Sequence, residues 1–250
     1  FKSPLLDISL NSAELALVSS LTFNDKLIKI SKCSGHYLSS EFSIAGNVDI
    51  TDSSQPQFDL NGELLVDLKD LKLLLAKFKE QLDKVKPEGK VKAQFNLSGN
   101  MNDLIKCSME IKLSSDYFSL YGFTGKDLLI NYTQSDGIVN LPLAHLSLYG
   151  GSLDAVFRGN LKPKNMPYSF NANMQDVKIE ELKLDTPARG KDISGIIRAE
   201  VKAGGFLNDI LNSKGAGTIS ISKGRLWELD LFKGLGKLLF SQDFANIIFS

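Results

Sequence analysis

The side chains that could carry chemistry are few and far apart in this sequence. There are two histidines, His36 and His145, and two cysteines, Cys33 and Cys107. Acid–base or nucleophilic catalysis needs a poised group within reach of its partner. The two histidines belong to different segments, and His145 alternates out of phase with Ala144, Leu146 and Leu148, as a histidine on the polar side of a strand would. The cysteines fit no metal-ligand spacing; they read as free thiols or as one isolated disulfide. Neither Gly-x-Ser-x-Gly nor His-Glu-x-x-His occurs. Gly234-Leu235-Gly236-Lys237 resembles the end of a phosphate loop, but leucines stand at 231 and 238, where the motif needs glycine and a hydroxyl residue. Glu180-Glu181 reads as a solvated acidic pair on a turn, and Trp227 as a packing anchor. The triplets beginning at Asn96 and Asn131 are glycosylation acceptors only in a eukaryotic secretory route. The sequence therefore points away from an enzyme, and no catalytic residue, metal ligand or cofactor is expected.

Charge narrows the partners. Twenty-nine basic and 29 acidic residues give a formal net charge of zero, with the signs interleaved. A nucleic-acid binder concentrates basic charge on one face, so nucleic acid is not an expected partner.

What remains is pattern. Val91, Ala93, Phe95 and Leu97 alternate with Lys92, Gln94 and Asn96, and Met109, Ile111 and Leu113 alternate with Glu110 and Lys112. The same period runs through Phe118 and Leu120, Leu128 to Tyr132, Leu153 to Phe157, Phe170 to Met174, and Ile219 to Ile221. Successive side chains on a strand point to opposite faces, so each run has one apolar and one polar side. Turn residues punctuate the runs. The expectation is a mainly β chain: an elongated antiparallel sheet with one solvated face. Two stretches break the period. Residues 67–85 place Leu68, Leu71, Leu74, Leu75, Phe78, Leu82 and Val85 at helical spacing, and residues 231–249 form a second, more apolar candidate. Two helices flanking the sheet are therefore predicted.

A repeat lies beneath the alternation. Residues 89–103 (GKVKAQFNLSGNMND) and 195–209 (GIIRAEVKAGGFLND) align without gaps at an offset of 106, matching glycine, alanine, glycine, asparagine and aspartate. A weaker echo relates residues 40–50 to 151–161. One supersecondary unit used twice along an axis favours an elongated sheet built from repeats. Phe1 and the apolar pattern still running near Phe249 read as cut ends, so residues 1–250 are taken as a single elongated module within a longer chain.

Two stretches carry a resemblance: LSLYGG at 146–151 followed by LDAVFRGNL, and GAGTISISKGRLWELD at 215–230. Together they resemble the C-terminal region of the AsmA-like proteins of the bacterial envelope, over about residues 36–250. The resemblance implies the periplasmic part of an inner-membrane-anchored protein, attached through segments outside this chain. It also implies a role in outer-membrane biogenesis, with phospholipid or another acyl-chain lipid moving between membranes along a sheet curled into an apolar groove. The residues expected to face such a groove are Val91, Phe95, Ile111, Phe118, Ile130, Phe157, Phe170 and Val201. The alternation equally suits a structural or interaction scaffold whose apolar faces close into a dry core.

Overall fold

Half-solvated alternation requires strands, and the computed structural model is built almost wholly of them. It describes residues 4–75 and 79–225. The strands are β1 (Leu5–Asn11), β2 (Leu15–Asn24), β3 (Leu27–Tyr37), β4 (Ser40–Asp49), β5 (Gln57–Asp67), β6 (Glu88–Asn100) and β7 (Ser108–Leu120). They continue with β8 (Phe123–Ser135), β9 (Ile138–Leu148), β10 (Gly151–Asn160), β11 (Pro167–Lys178), β12 (Ser194–Phe206) and β13 (Lys214–Arg225). All belong to one antiparallel sheet in strict sequence order, so every connection is a hairpin or a longer excursion between neighbours. Among the described residues β1 and β13 are the two edges and the sheet does not close on itself. At roughly 4.8 Å per strand its contour runs to about 60 Å across the strands.

The expected repeat is present and larger than its sequence traces. β6 and β12 are both thirteen residues long, and Gly89 and Gly195 are their second residues, with φ of +107° and +143°. The unit spans six strands, β2–β7 repeating as β8–β13. A bulge in β3 falls between Ile30 and Cys33, and its counterpart in β9 lies between Leu141 and Ala144. The pair Phe42↔Leu64 of β4–β5 recurs as Leu153↔Met174 of β10–β11. The connections holding α-helix follow β5 and β11, at the same end of the sheet, and a 3-10 stretch (Leu207–Asn212) follows β12 at the other.

The first of these departs from the single helix expected over 67–85. A 3-10 turn (Leu68–Asp70) leads into α1 (Leu71–Leu74), and α2 (Lys79–Val85) is separate. The entry is tight because Asp67 accepts the Lys69 N–H at 3.0 Å, while Asp70 is drawn into the sheet end by Ser39 N–H at 3.0 Å and Ser40 Oγ at 2.8 Å. Leu75 then leaves helical geometry at φ −117°, ψ 54°. Residues 231–249, Trp227 and the 234–237 stretch lie outside the described residues.

The connection after β11 holds α3 (Ile179–Leu182) and a 3-10 turn (Lys183–Asp185), where the sequence suggested only a turn. Here sits the main buried cluster. Val177, Ile179, Leu182, Ala188, Ile193 and Ile197 pack together, with Phe123, Leu148, Met174, Ile219 and Ile221 against them. This cap therefore covers one end of the sheet face from β8 to β13. Thr124 Oγ1 and the Tyr149 hydroxyl donate to the Asp185 carboxylate at 3.0 and 2.8 Å, holding it in place. Burial, with Asp185 adding, pushes the Tyr149 phenol up to about 12.

Candidate functional site

Phe95 lies mid-strand in β6, between Gly62 of β5 and Ile111 of β7. Gly62 leaves room for it: a β-carbon there would stand 2.7 Å from Phe95 Cζ, so the ring lies down across the neighbouring strand. Phe118 does the same over Gly125, where a β-carbon would meet two ring atoms at 2.6 and 2.7 Å. Phe157 covers Gly159 and stacks on Tyr168 with ring centroids 5.8 Å apart and 22° between planes. Large rings laid flat over glycines fill the space a side chain would take and keep the apolar surface low.

Register carries this surface across the molecule. One row of directly paired residues runs Leu10, Leu17, Gly35, Phe42, Leu64, Ala93, Leu113, Ile130, Ala144, Ala155, Ala172, Val201 and Gly217, one from each strand. Every member is apolar or glycine. A second row pairs Leu141, Phe157, Phe170 and Ala203. Val91 and Phe95 share the phase of Ala93, and a bulge in β7 returns Phe118 to it opposite Gly89 and Gly125. All eight residues singled out from the sequence thus stand on one face. They do not converge on a point; they spread from β6 to β12 as a surface.

That surface is half-buried at all eight positions. Among the described residues each strand pairs with its neighbours in the sheet, and the connection after β11 packs its buried cluster onto the face at Met174, Ile197, Ile219 and Ile221. Elsewhere on the face no second layer lies over it among the described residues, so a closed dry core is confined to the part beneath that cap.

The opposite face is ionic. Ser43, Glu63, Gln94, Lys112 and Asn131 form the matching row. Glu63 accepts from Gln94 at 2.7 Å and pairs with Lys92 at 3.1 Å; these contacts hold its carboxyl below the usual range. Arg198 pairs with Asp176 at 2.7 Å. His145 Nδ1 lies 2.6 Å from Asp154, confirming its place on the polar side. His36 stands on β3, opposite Glu41, far from His145 in the sheet order.

Cys33 and Cys107 are both free, and Cys107 is buried. Among the described residues no three His, Cys, Asp or Glu side chains cluster as metal ligands, and no helix is long and apolar enough to cross a membrane. Sequence reasoning missed the cap after β11 and its Asp185 anchor. The only signal was the apolar spacing of Val177, Ile179 and Leu182 around the Glu180-Glu181 pair.

No family model, no curated protein and no solved structure matches this chain. The resemblance to AsmA-like proteins therefore rests on the short motifs at 146–161 and 215–230.

Proposed function

We propose that this chain handles phospholipid or another acyl-chain lipid, without catalysis, in the manner of the AsmA-like envelope proteins its motifs resemble. One observation carries the reading: an uninterrupted apolar row, thirteen residues across thirteen strands, with no second layer on it among the described residues. Uncovered apolar surface on this scale marks a place where something apolar is meant to lie. An acyl chain laid on it sheds water at ~25 cal/mol per Å² of apolar area removed, so contact with several side chains amounts to several kcal/mol.

The arrangement favours movement over capture. Row members from adjacent strands differ little in polarity, so neighbouring positions hold a chain with similar strength and none is deep. A lipid could then pass from strand to strand with its head group at the solvated rim. In the envelope, such a surface would serve transfer between inner and outer membranes, with the anchor supplied by chain outside this sequence. The flat rings of Phe95, Phe118 and Phe157 would give the moving chain a floor without protrusions.

The test is direct. The purified chain, extracted with organic solvent, should yield phospholipid in stoichiometric amount by mass spectrometry, and the stripped protein should take it up again. A chain that purifies and refolds free of lipid, and binds none when offered vesicles or micelles, would leave the scaffold reading in its place.

A further inference from the structure

The repeat reproduces an exposed feature that sheet building does not require. The connection after β6 (residues 101–107) and the one after β12 (207–213) stand at the same end of the strands, 106 residues apart. Leu104 and Ile105 in the first are 56% and 45% exposed, and their counterparts Ile210 and Leu211 are 60% and 85% exposed. Single exposed apolar residues are common and need no explanation. An adjacent pair, recurring at the same position of two copies, does.

The backbone behind each pair is satisfied from inside the protein. Gln134 Nε2 donates to the carbonyls of Leu104 and Ile105 at 2.7 and 3.2 Å. Ser213 Oγ donates to the Ile210 carbonyl at 2.7 Å. The polar side chains of the loops, though mostly exposed, have partners within the protein. Asn102 and Asn208 donate to the Ser54 and Lys164 carbonyls, Asp103 pairs with Lys106 at 2.8 Å, and Asp209 accepts from Asn212 at 2.9 Å. Taking these tips out of water would strand few hydrogen-bonding groups, which is the main cost of entering an apolar medium.

We propose that the Leu104-Ile105 and Ile210-Leu211 tips form a docking edge that enters the interfacial layer of a phospholipid bilayer. Six strand spacings separate them, about 29 Å along the sheet at ~4.8 Å per strand. A protein partner would need two apolar sockets at that separation; a bilayer presents a continuous layer and needs none. Neither loop carries an excess of basic charge (Asp103 pairs with Lys106 in the first, and the second holds Asp209 and no base), so the apolar contact supplies the attraction and anionic lipid is not required. The inference concerns the loops at the strand ends and stands whether or not the apolar face itself carries lipid.

Flotation of the full chain with neutral phosphatidylcholine vesicles tests it. The chain should float with the vesicles. The variant L104D/I105D/I210D/L211D, with an unchanged circular dichroism spectrum, should lose about tenfold or more in partitioning, since four exposed apolar side chains would otherwise leave water together. In a second measurement, L211W in a W227F background should show indole emission quenched by brominated lipids, whereas K112W, on the ionic face, should not. Equal flotation of the fourfold variant together with an unquenched L211W indole would overturn the proposal. So would a concentration-dependent dimer without lipid that the fourfold variant abolishes, because the tips would then be a contact between copies.

Discussion

Cys107 and Ser213 occupy the same place in two copies of one structural unit. The Cys107 sulfur stands 2.6 Å from where a β-carbon on Gly99 would be, and the Ser213 hydroxyl stands 2.8 Å from the equivalent point on Gly205. Each residue's N–H closes the same turn, onto Leu104 in one copy and Ile210 in the other, at 3.3 and 3.1 Å. The thiol points at the Asn100 carbonyl at 3.3 Å, so it sits where a hydroxyl would be accepted.

Cys107→Ser should therefore cost no more than about 1 kcal/mol by urea denaturation, because the hydroxyl keeps an acceptor. Gly99→Ala, at φ +142° and against the Cys107 backbone, should cost about 2–3 kcal/mol through strain and overlap. A reversed order, with the serine variant the more damaged, would contradict the equivalence of the two loops.

The flat rings give a coupling prediction. Gly125→Ala places a methyl group against Phe118 and should destabilise by about 1–3 kcal/mol, the usual cost of overpacking. Combined with Phe118→Leu the penalty should shrink, and a double-mutant cycle should report about 1 kcal/mol or more of interaction. Additive costs would mean the ring does not lie over Gly125.

The cap after β11 gives a pH prediction. The Tyr149 phenol holds its proton up to about 12 in the folded chain, against an ordinary value of 10.0. The folded state thus keeps a proton that the unfolded state releases. Its contribution to stability is fully present below about pH 10 and is lost as pH rises through about 12. Tyr149→Phe should flatten that slope, and below pH 10 it should speed hydrogen exchange over 179–193, since Asp185 loses a donor. Unchanged exchange there would show that the hydroxyl does not hold the cap.

Legibility followed physical constraint. Phe95, Ile111, Phe157 and Val201 were readable as one face because a strand wet on one side must alternate. The glycine, asparagine and aspartate matches revealed the repeat because turns demand those residues. Its full six-strand extent was hidden because face positions accept small as well as large residues of different type: Ser19 answers Ile130, and Gly62 answers Ala172. The bulges between Ile30 and Cys33 and between Leu141 and Ala144 need no distinctive residue, so nothing announced them. The break near Leu75 was masked by a leucine spacing that suits helix throughout, whereas Asp70 is held by Ser39 and Ser40, some thirty residues earlier in the chain.

An open face and a closed core respond differently to charge. Phe95 is half-buried, so Phe95→Asp leaves a carboxylate that water can still reach. Its cost should stay near 1–2 kcal/mol, the range of an ordinary partly exposed loss, while lipid uptake falls sharply. Unfolding by several kcal/mol would instead indicate a buried, unpaired charge and a covered face.

The central claim, that lipid lies on this face, is tested most directly by photo-crosslinking in cells. A photoreactive residue at Phe95 or Val201, on the apolar face in both copies of the repeat, should capture phospholipid; the same probe at Lys92 or Arg198, each three residues earlier in its strand and on the ionic face, should not. Adducts at all four positions, or at neither apolar one, would contradict it.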